Sequence, residues 1–383
     1  MLKYSIAPFL SFLFLLLLLS TVGFSQTNTK PKYSSSPNIY AGIEVGSKGV
    51  KMSIIEMKKN PESGNSFTIL KDTSVNTDFI SFTQSTFDAT LNGLSGLFTT
   101  AINDYKIPSK RIFTVLSSGV KILSEKENKK EWVEKFIQEF RLKVKEPERK
   151  VELVDVLQEA RLSHLGIVPE ARRYNTFLID IGSGNTKGGF FPSGNLNDFY
   201  LFQLTWGTKS TANATEKMLG EDKSQANFNR QLIRVATTAE TNEIIYAVNS
   251  SGSYPVSDHI AFSGGIAWAV ATLIYPELNN NAVVPVTYEE VERFSKRLSD
   301  NFSSLSDAYL VAKMGNGNWD KDLITKEIKR VHGVFDQRSL MSGTALLLRI
   351  MRQFKSVNET KQFYFVKNGA VGWVSAYVDQ LVE

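Results

Sequence analysis

The chain has no cysteine and only three histidines in 383 residues. The first absence removes disulfides, thiolate metal sites, cysteine nucleophiles and a lipid anchor at one stroke. The second leaves His164, His259 and His332 without a metal-spaced partner, so histidine offers no hydrolytic centre. No G-x-S-x-G nucleophile elbow occurs. Coiled-coil repeats, low-complexity tracts and nucleic-acid motifs are missing too, so no nucleic-acid partner is expected. Charge is only mildly one-sided, at +5. Such a balance suits a polyanionic ligand, but it equally serves solubility.

What is present suffices for a large core. With 42% hydrophobic residues, a chain of this length is expected to make two domains. The first segment belongs to neither. Lys3 is followed by an apolar block from Ile6 to Leu19, interrupted by Ser11, and Gly23-Phe24-Ser25 then offers small residues before Gln26. This reads as a cleaved signal peptide over 1–25, implying export to the periplasm or beyond and no membrane span after cleavage. The alternative is an uncleaved anchor, because the block approaches the ~20 apolar residues that cross a bilayer. Residues 26–38, polar with two prolines, read as a linker. Domains are then expected over 39–172 and 173–383, with the C-terminal helix free to return to the first.

Each of those domains opens on the same pattern. "YAGIEVGSKGVKMSIIEM" (Tyr40 to Met57) and "FLIDIGSGNTKGGFF" (Phe177 to Phe191) both read as strand, glycine turn, strand. Glu44-Val45-Gly46-Ser47 with Lys51 repeats as Asp180-Ile181-Gly182-Ser183 with Lys187. The shared spacing [DE]-[VI]-G-S-x-x-x-K, about one domain apart, argues for a duplicated unit rather than two unrelated hairpins. Between the copies, Phe87 to Ile102 and Lys130 to Phe140 read as helices, the latter with Trp132, Val133, Phe136, Ile137 and Phe140 on one face. "KVELVDVL" reads as a strand, and "QEARLSHLG" starts a helix with Asp155 near its N-terminus and Gly166 at its end. Alternating strands and helices behind two hairpins predict an α/β fold built twice. A third turn, Ser263-Gly264-Gly265, lies between a strand and a helix. It suits either an anion at a helix N-terminus or close backbone packing.

Two such acid-x-glycine turns resemble the phosphate-binding hairpins of the actin, hexokinase and heat-shock-70 ATPase superfamily. "VELVDVLQEARLSHLGI" (Val151 to Ile167), "QLTWGTKST" (Gln203 to Thr211) and "FDQRSLMSGTALLLRIM" (Phe335 to Met351) narrow this. In order and spacing they resemble segments of the exopolyphosphatase and guanosine pentaphosphate phosphatase family, over most of Ile39 to Val382. The resemblance implies two actin-like (ribonuclease H-like) domains around a cleft. It puts Glu159 on the general base that activates water, and Glu44 and Asp180 on the acids that hold a divalent metal, by default magnesium. Backbone amides of Gly46, Ser47, Gly182, Ser183 and Gly184 would hold phosphate oxygens, with Asn185, Thr186 and the Ser263-Gly264-Gly265 turn beside them. A homodimer is compatible with it.

The departures bear on the chemistry. Glu44 stands where the family carries aspartate. Asn185-Thr186-Lys187 replaces the family's serine-threonine-glutamate, a base in place of an acid. Asp155-Val156 replaces serine-glycine, and Gln158 the first of a pair of acids. These changes weaken the metal site and favour direct neutralisation of phosphate by Lys51 and Lys187, with Lys48, Lys121 and Lys209 as further candidates. Three functions follow: an exported hydrolase of polyphosphate or another phosphoanhydride, a degenerate binder of polyphosphate or nucleotide, or an ATP-dependent kinase or assembly protein. Export disfavours the third, since little ATP is met outside the cell. It equally disfavours guanosine pentaphosphate, a cytoplasmic signal.

Overall fold

The computed structural model describes residues 37–57, 67–192, 194–252, 257–315, 317–355, 361–367 and 369–382. The expected signal peptide, and all but the last two residues of the expected linker, lie outside the described residues.

Two mixed sheets organise the chain. In the first, β1 (Ile39–Val45), β2 (Gly49–Met57) and β3 (Phe67–Asn76) run antiparallel, as hairpin-connected strands do. β4 (Ile112–Leu116) and β5 (Val151–Leu153) then add parallel on the far side of β1, giving the order β3-β2-β1-β4-β5. The second sheet begins likewise with antiparallel β6 (Thr176–Ile181), β7 (Thr186–Phe190) and β8 (Tyr200–Leu204). β9 (His259–Ser263) adds parallel to β6, β10 (Val283–Val286) forms the edge, and β11 (Gln362–Val366) lies between those two. The second sheet therefore repeats the first with one edge strand added. This is the duplicated α/β unit that the turn pattern predicts.

Both faces of each central strand are buried, so these strands read as nearly continuous apolar runs. Side chains alternate across a strand, and Phe177, Ile179 and Ile181 enter one core of the second sheet while Leu178 enters the other. In β1, Ala41, Ile43 and Val45 face the helices Gln84–Asn103 and Lys130–Val144. There Phe87 meets Phe136 and Trp132 edge to face, from the apolar stripe that the spacing predicted.

The opposite face of the first sheet is covered by the last helix, Gly369–Val382, whose Trp373, Val374, Tyr377 and Val378 pack with Ile55, Val115 and Leu162. Leu162 belongs to the helix Val156–Ile167, which starts where Asp155 accepts a hydrogen bond from the Gln158 amide at 2.7 Å. The two helices cross at glycines. A Cβ on Gly166 would lie 2.1 Å from the Gly372 carbonyl oxygen, so only hydrogen fits at the crossing. The helix carrying Glu159 is thereby clamped between the two sheets. Among the described residues, no helix is long and apolar enough to cross a membrane.

Candidate active site

Each hairpin folds its acid over its own turn. In the first, the Gly46 amide donates to Gly49 O at 2.9 Å, and the register sets Glu44 directly opposite Lys51. Lys51 Nζ lies 3.5 Å from Glu44 Oε2. In the second, the Gly182 amide donates to Asn185 O at 3.0 Å, and Asp180 stands opposite Lys187. The seven-residue offset in the repeat is thus the spacing of a cross-strand acid–lysine pair. That signal was available in the sequence, which suggested instead two lysines free to bind phosphate.

The two turns meet over the helix Ser118–Lys126. Ser47 Oγ and Asn185 Oδ1 lie 2.9 and 3.8 Å from the point a Cβ on Gly119 would occupy, and Leu123 Cδ1 comes within 3.3 Å of the corresponding point on Gly184. Glu159 completes the junction. Its Oε2 accepts the Ser118 amide at 2.6 Å, at the positive end of that helix. Its Oε1 lies 2.9 Å from Lys187 Nζ, and the same ammonium is 3.0 Å from Asp180 Oδ2. Asp180 Oδ1 accepts Ser263 Oγ at 3.0 Å.

The result is a charge cluster of buried Glu44, Glu159 and Lys187 with half-buried Asp180, and with Lys51 at its margin. Glu159 and Lys187 are 2% and 5% exposed. Burial by itself would lower the pKa of Lys187, but Glu159 and Asp180 outweigh it and hold the ammonium charged. Glu44 behaves oppositely. Burial raises its pKa, Lys51 and Lys187 pull it back only in part, and Glu159 and Asp180 add repulsion. Beyond the ion contact with Lys51, its buried Oε2 has no hydrogen-bond partner among the described residues.

Several expected phosphate ligands are otherwise engaged. Lys187 sits between carboxylates rather than facing an open cleft, because its strand position puts it under Glu159. The Gly46 and Gly182 amides close their own turns. Thr186 Oγ1 donates to Trp206 O at 2.7 Å, which spends the hydroxyl on the neighbouring strand connection. The Ser263-Gly264-Gly265 turn serves close packing. Gly264 has φ +91°, and a Cβ there would lie 2.4 Å from Ile181 O and 2.9 Å from Asp180 Oδ1, while Gly265 abuts Phe335. The amides of Ser47, Ser183 and Gly184 remain as candidate donors. Lys209 opens the helix Thr208–Lys217, whose first amides cap the second turn through Gly182 O and Ser183 O.

One acid at the mouth escaped the sequence reading. Asp78 Oδ1 lies 3.2 Å from Lys48 Nζ and 2.9 Å from Lys209 Nζ, so it joins the first turn to the second half of the chain. Burial and the nearby Lys209 lower the pKa of Lys48, whereas the two lysines and Ser81 together keep Asp78 ionised against its own burial. Lys121 stands half-buried on the Ser118–Lys126 helix. A cavity of about 790 Å³ beside Tyr275, Tyr288 and Tyr364 lies at the β10–β11 edge, away from this chemistry.

A divalent ion does not fit this donor set. Both oxygens of Asp180 and both of Glu159 already accept from protein donors, and a full positive charge sits between the two acids. Among the described residues, no three carboxylate or imidazole side chains converge to hold a metal ion. The magnesium expected at Glu44 and Asp180 would have to displace Lys187 from a desolvated pair of ion contacts.

The overall fold recurs among solved structures. A Ppx/GppA family member from Aquifex aeolicus superposes with a TM-score of 0.60 at 16% identity, covering 90% of this chain and 97% of that one. The chain has the Ppx/GppA fold. An exopolyphosphatase from Cytophaga hutchinsonii shares that fold at a TM-score of 0.56 and 14% identity, over 89% and 98% of the two chains. An exopolyphosphatase-like protein does so at 0.57 and 13%, over 90% and 99%. No family model matches the sequence, and no curated protein does.

Proposed function

We propose that the chain is an exported hydrolase of phosphoanhydrides of the exopolyphosphatase type, releasing terminal phosphate from inorganic polyphosphate. One observation carries the reading: Glu159 lies at the junction of two glycine turns that belong to different sheets, beside Asp180 and Lys187. Each carboxylate oxygen of Glu159 meets one protein donor and keeps a second lone pair, so it can still accept the proton of an attacking water. The amides of Ser47, Ser183 and Gly184 supply neutral donors for phosphate oxygens, and in-line transfer to water asks for little more than positioning and charge neutralisation. The fold neighbours named as exopolyphosphatases agree with this substrate class. An exported polyphosphatase also meets a substrate that persists outside the cell.

A second reading draws on the same pair. The Lys187–Glu159 contact engages one oxygen of the would-be base with an ammonium, which favours a polyphosphate binder without turnover. Phosphate release from polyphosphate by residues 26–383 separates the two. Glu159→Gln is expected to cut release by ~10² to 10⁴-fold while binding persists. Tight binding by a wild type that releases nothing would install the binder reading instead, and wild-type turnover in Glu159→Gln would remove Glu159 from the mechanism.

A further inference from the structure

We propose that Lys187 is the resident cation of this site, filling between Glu159 and Asp180 the charge-neutralising place of a divalent ion, so that the chain binds and cleaves polyphosphate without a protein-bound metal. The cleavage half of this statement rests on the hydrolase reading; the cation itself does not.

Glu159 and Asp180 flank one lysine and Glu44 stands nearby, and without a cation these acids would repel any phosphate. Lys187 answers two of them directly, at 2.9 and 3.0 Å, and Lys51 approaches the third. An ammonium carries three N–H donors, and two are accounted for by Glu159 and Asp180. The third meets no acceptor among the described residues, so an oxygen that reaches in between the two turns can take it, although the lysine itself is buried. Glu44 supplies an independent sign that a ligand belongs here: among the described residues its buried Oε2 has the ion contact with Lys51 at 3.5 Å but no hydrogen-bond partner. An oxygen so placed is costly unless a donor arrives. A hydroxyl-bearing terminal phosphate, or the attacking water, would provide one.

The ammonium also explains why a metal would be excluded. Its position is fixed by the hairpin register, which sets Lys187 opposite Asp180, and by the helix that delivers Glu159 from the other side. A lysine so fixed cannot withdraw without leaving the buried Glu159 and the half-buried Asp180 without a counter-charge. A divalent ion entering the same space would meet a like charge at contact distance in a water-poor setting.

The test begins without substrate, since polyphosphate itself chelates magnesium. Titration of manganese into metal-free wild type, followed by calorimetry and by the spin signal of the free ion, should show no saturable binding. Lys187→Glu, which replaces the resident charge by a further carboxylate, should acquire a manganese site, a gain that mere structural damage would not produce. Lys187→Met, close in length but uncharged, should bind polyphosphate about ten- to a hundredfold more weakly in excess chelator. Release by wild type should persist in that chelator. Saturable manganese binding by wild type that disappears in Asp180→Asn would overturn the proposal, as would release that collapses on chelation and returns with the bound ion. If no condition yields phosphate release, the hydrolase reading fails, while the manganese titration still decides whether Lys187 occupies the metal's place. The wild-type titration decides that point even where a substituted chain fails to fold.

Discussion

His164 shows what a single buried residue does to the fold. It is fully buried, its Nε2 donates to Thr176 O at 3.0 Å, and Phe191 and Phe199 press against the ring edge to face. Nδ1 has no partner among the described residues. Burial pushes its pKa down to about 4, the Thr176 carbonyl only partly opposing, with Arg173 adding repulsion. The sign follows from linkage. Above the ordinary histidine value of about 6.5 both folded and unfolded chains keep the ring neutral, and stability is unaffected. As pH falls towards 4 the unfolded chain takes up a proton that the fold refuses, removing up to about 3 kcal/mol. Urea unfolding at pH 7 and pH 4.5 should therefore show a larger acid loss for wild type than for His164→Gln. Equal losses would mean that the ring is not held neutral. The sequence marked this histidine only as lacking a metal-spaced partner, because its environment comes from residues further along the chain. The same limit hid the fate of Lys187. Its pairing with Asp180 is local and could be counted across the hairpin, whereas Glu159 arrives from another element.

At the scale of elements, the most legible features were those with local chemistry. The hairpins announce themselves by β-formers around glycine, and the Val156–Ile167 helix by Asp155 at its cap. Gly166 illustrates what was not legible. It reads as a helix-end glycine, yet it lies inside the last turn and its function is to admit the Gly372 backbone. Nothing near residue 166 in sequence specifies a partner so far away. Gly166→Ala should therefore wedge apart the two helices that bind the sheets together, costing about 1 to 3 kcal/mol or more, since the obstacle is backbone rather than a flexible side chain. Gly96 gives the control. It is an exposed position inside the Gln84–Asn103 helix with nothing within 4 Å of a built Cβ, so Gly96→Ala should stabilise by about 0.5 to 1 kcal/mol. Denaturant midpoints of the two variants moving in the same direction would refute the close-approach argument.

Over the whole molecule, two cores are joined by crossing helices at the centre and by ion pairs at the mouth. The repeat of turns predicted two matching halves. It was silent on the extra strand β10 and on Asp78, whose contact with Lys209 spans 131 positions. Asp78 gathers Lys48 from the first half and Lys209 from the second around one carboxylate, with Ser81 Oγ donating to it at 2.6 Å. A polyanion approaching the junction competes with that carboxylate for both ammonium groups. Asp78→Asn removes the competitor's charge and leaves two cations facing each other across the mouth. The ion pairs are partly solvated, so the loss of stability should be small, about 0.5 to 1 kcal/mol. Affinity for polyphosphate should rise instead, by up to about fivefold at low ionic strength. The gain should shrink as salt screens the exposed lysines. Fluorescence anisotropy with a labelled short polyphosphate, run at low and high salt, measures both effects on one sample. Unchanged affinity would mean that the chain of phosphates does not pass Lys48 and Lys209. Weaker affinity would make Asp78 an organiser of the mouth rather than a rival for its ligand.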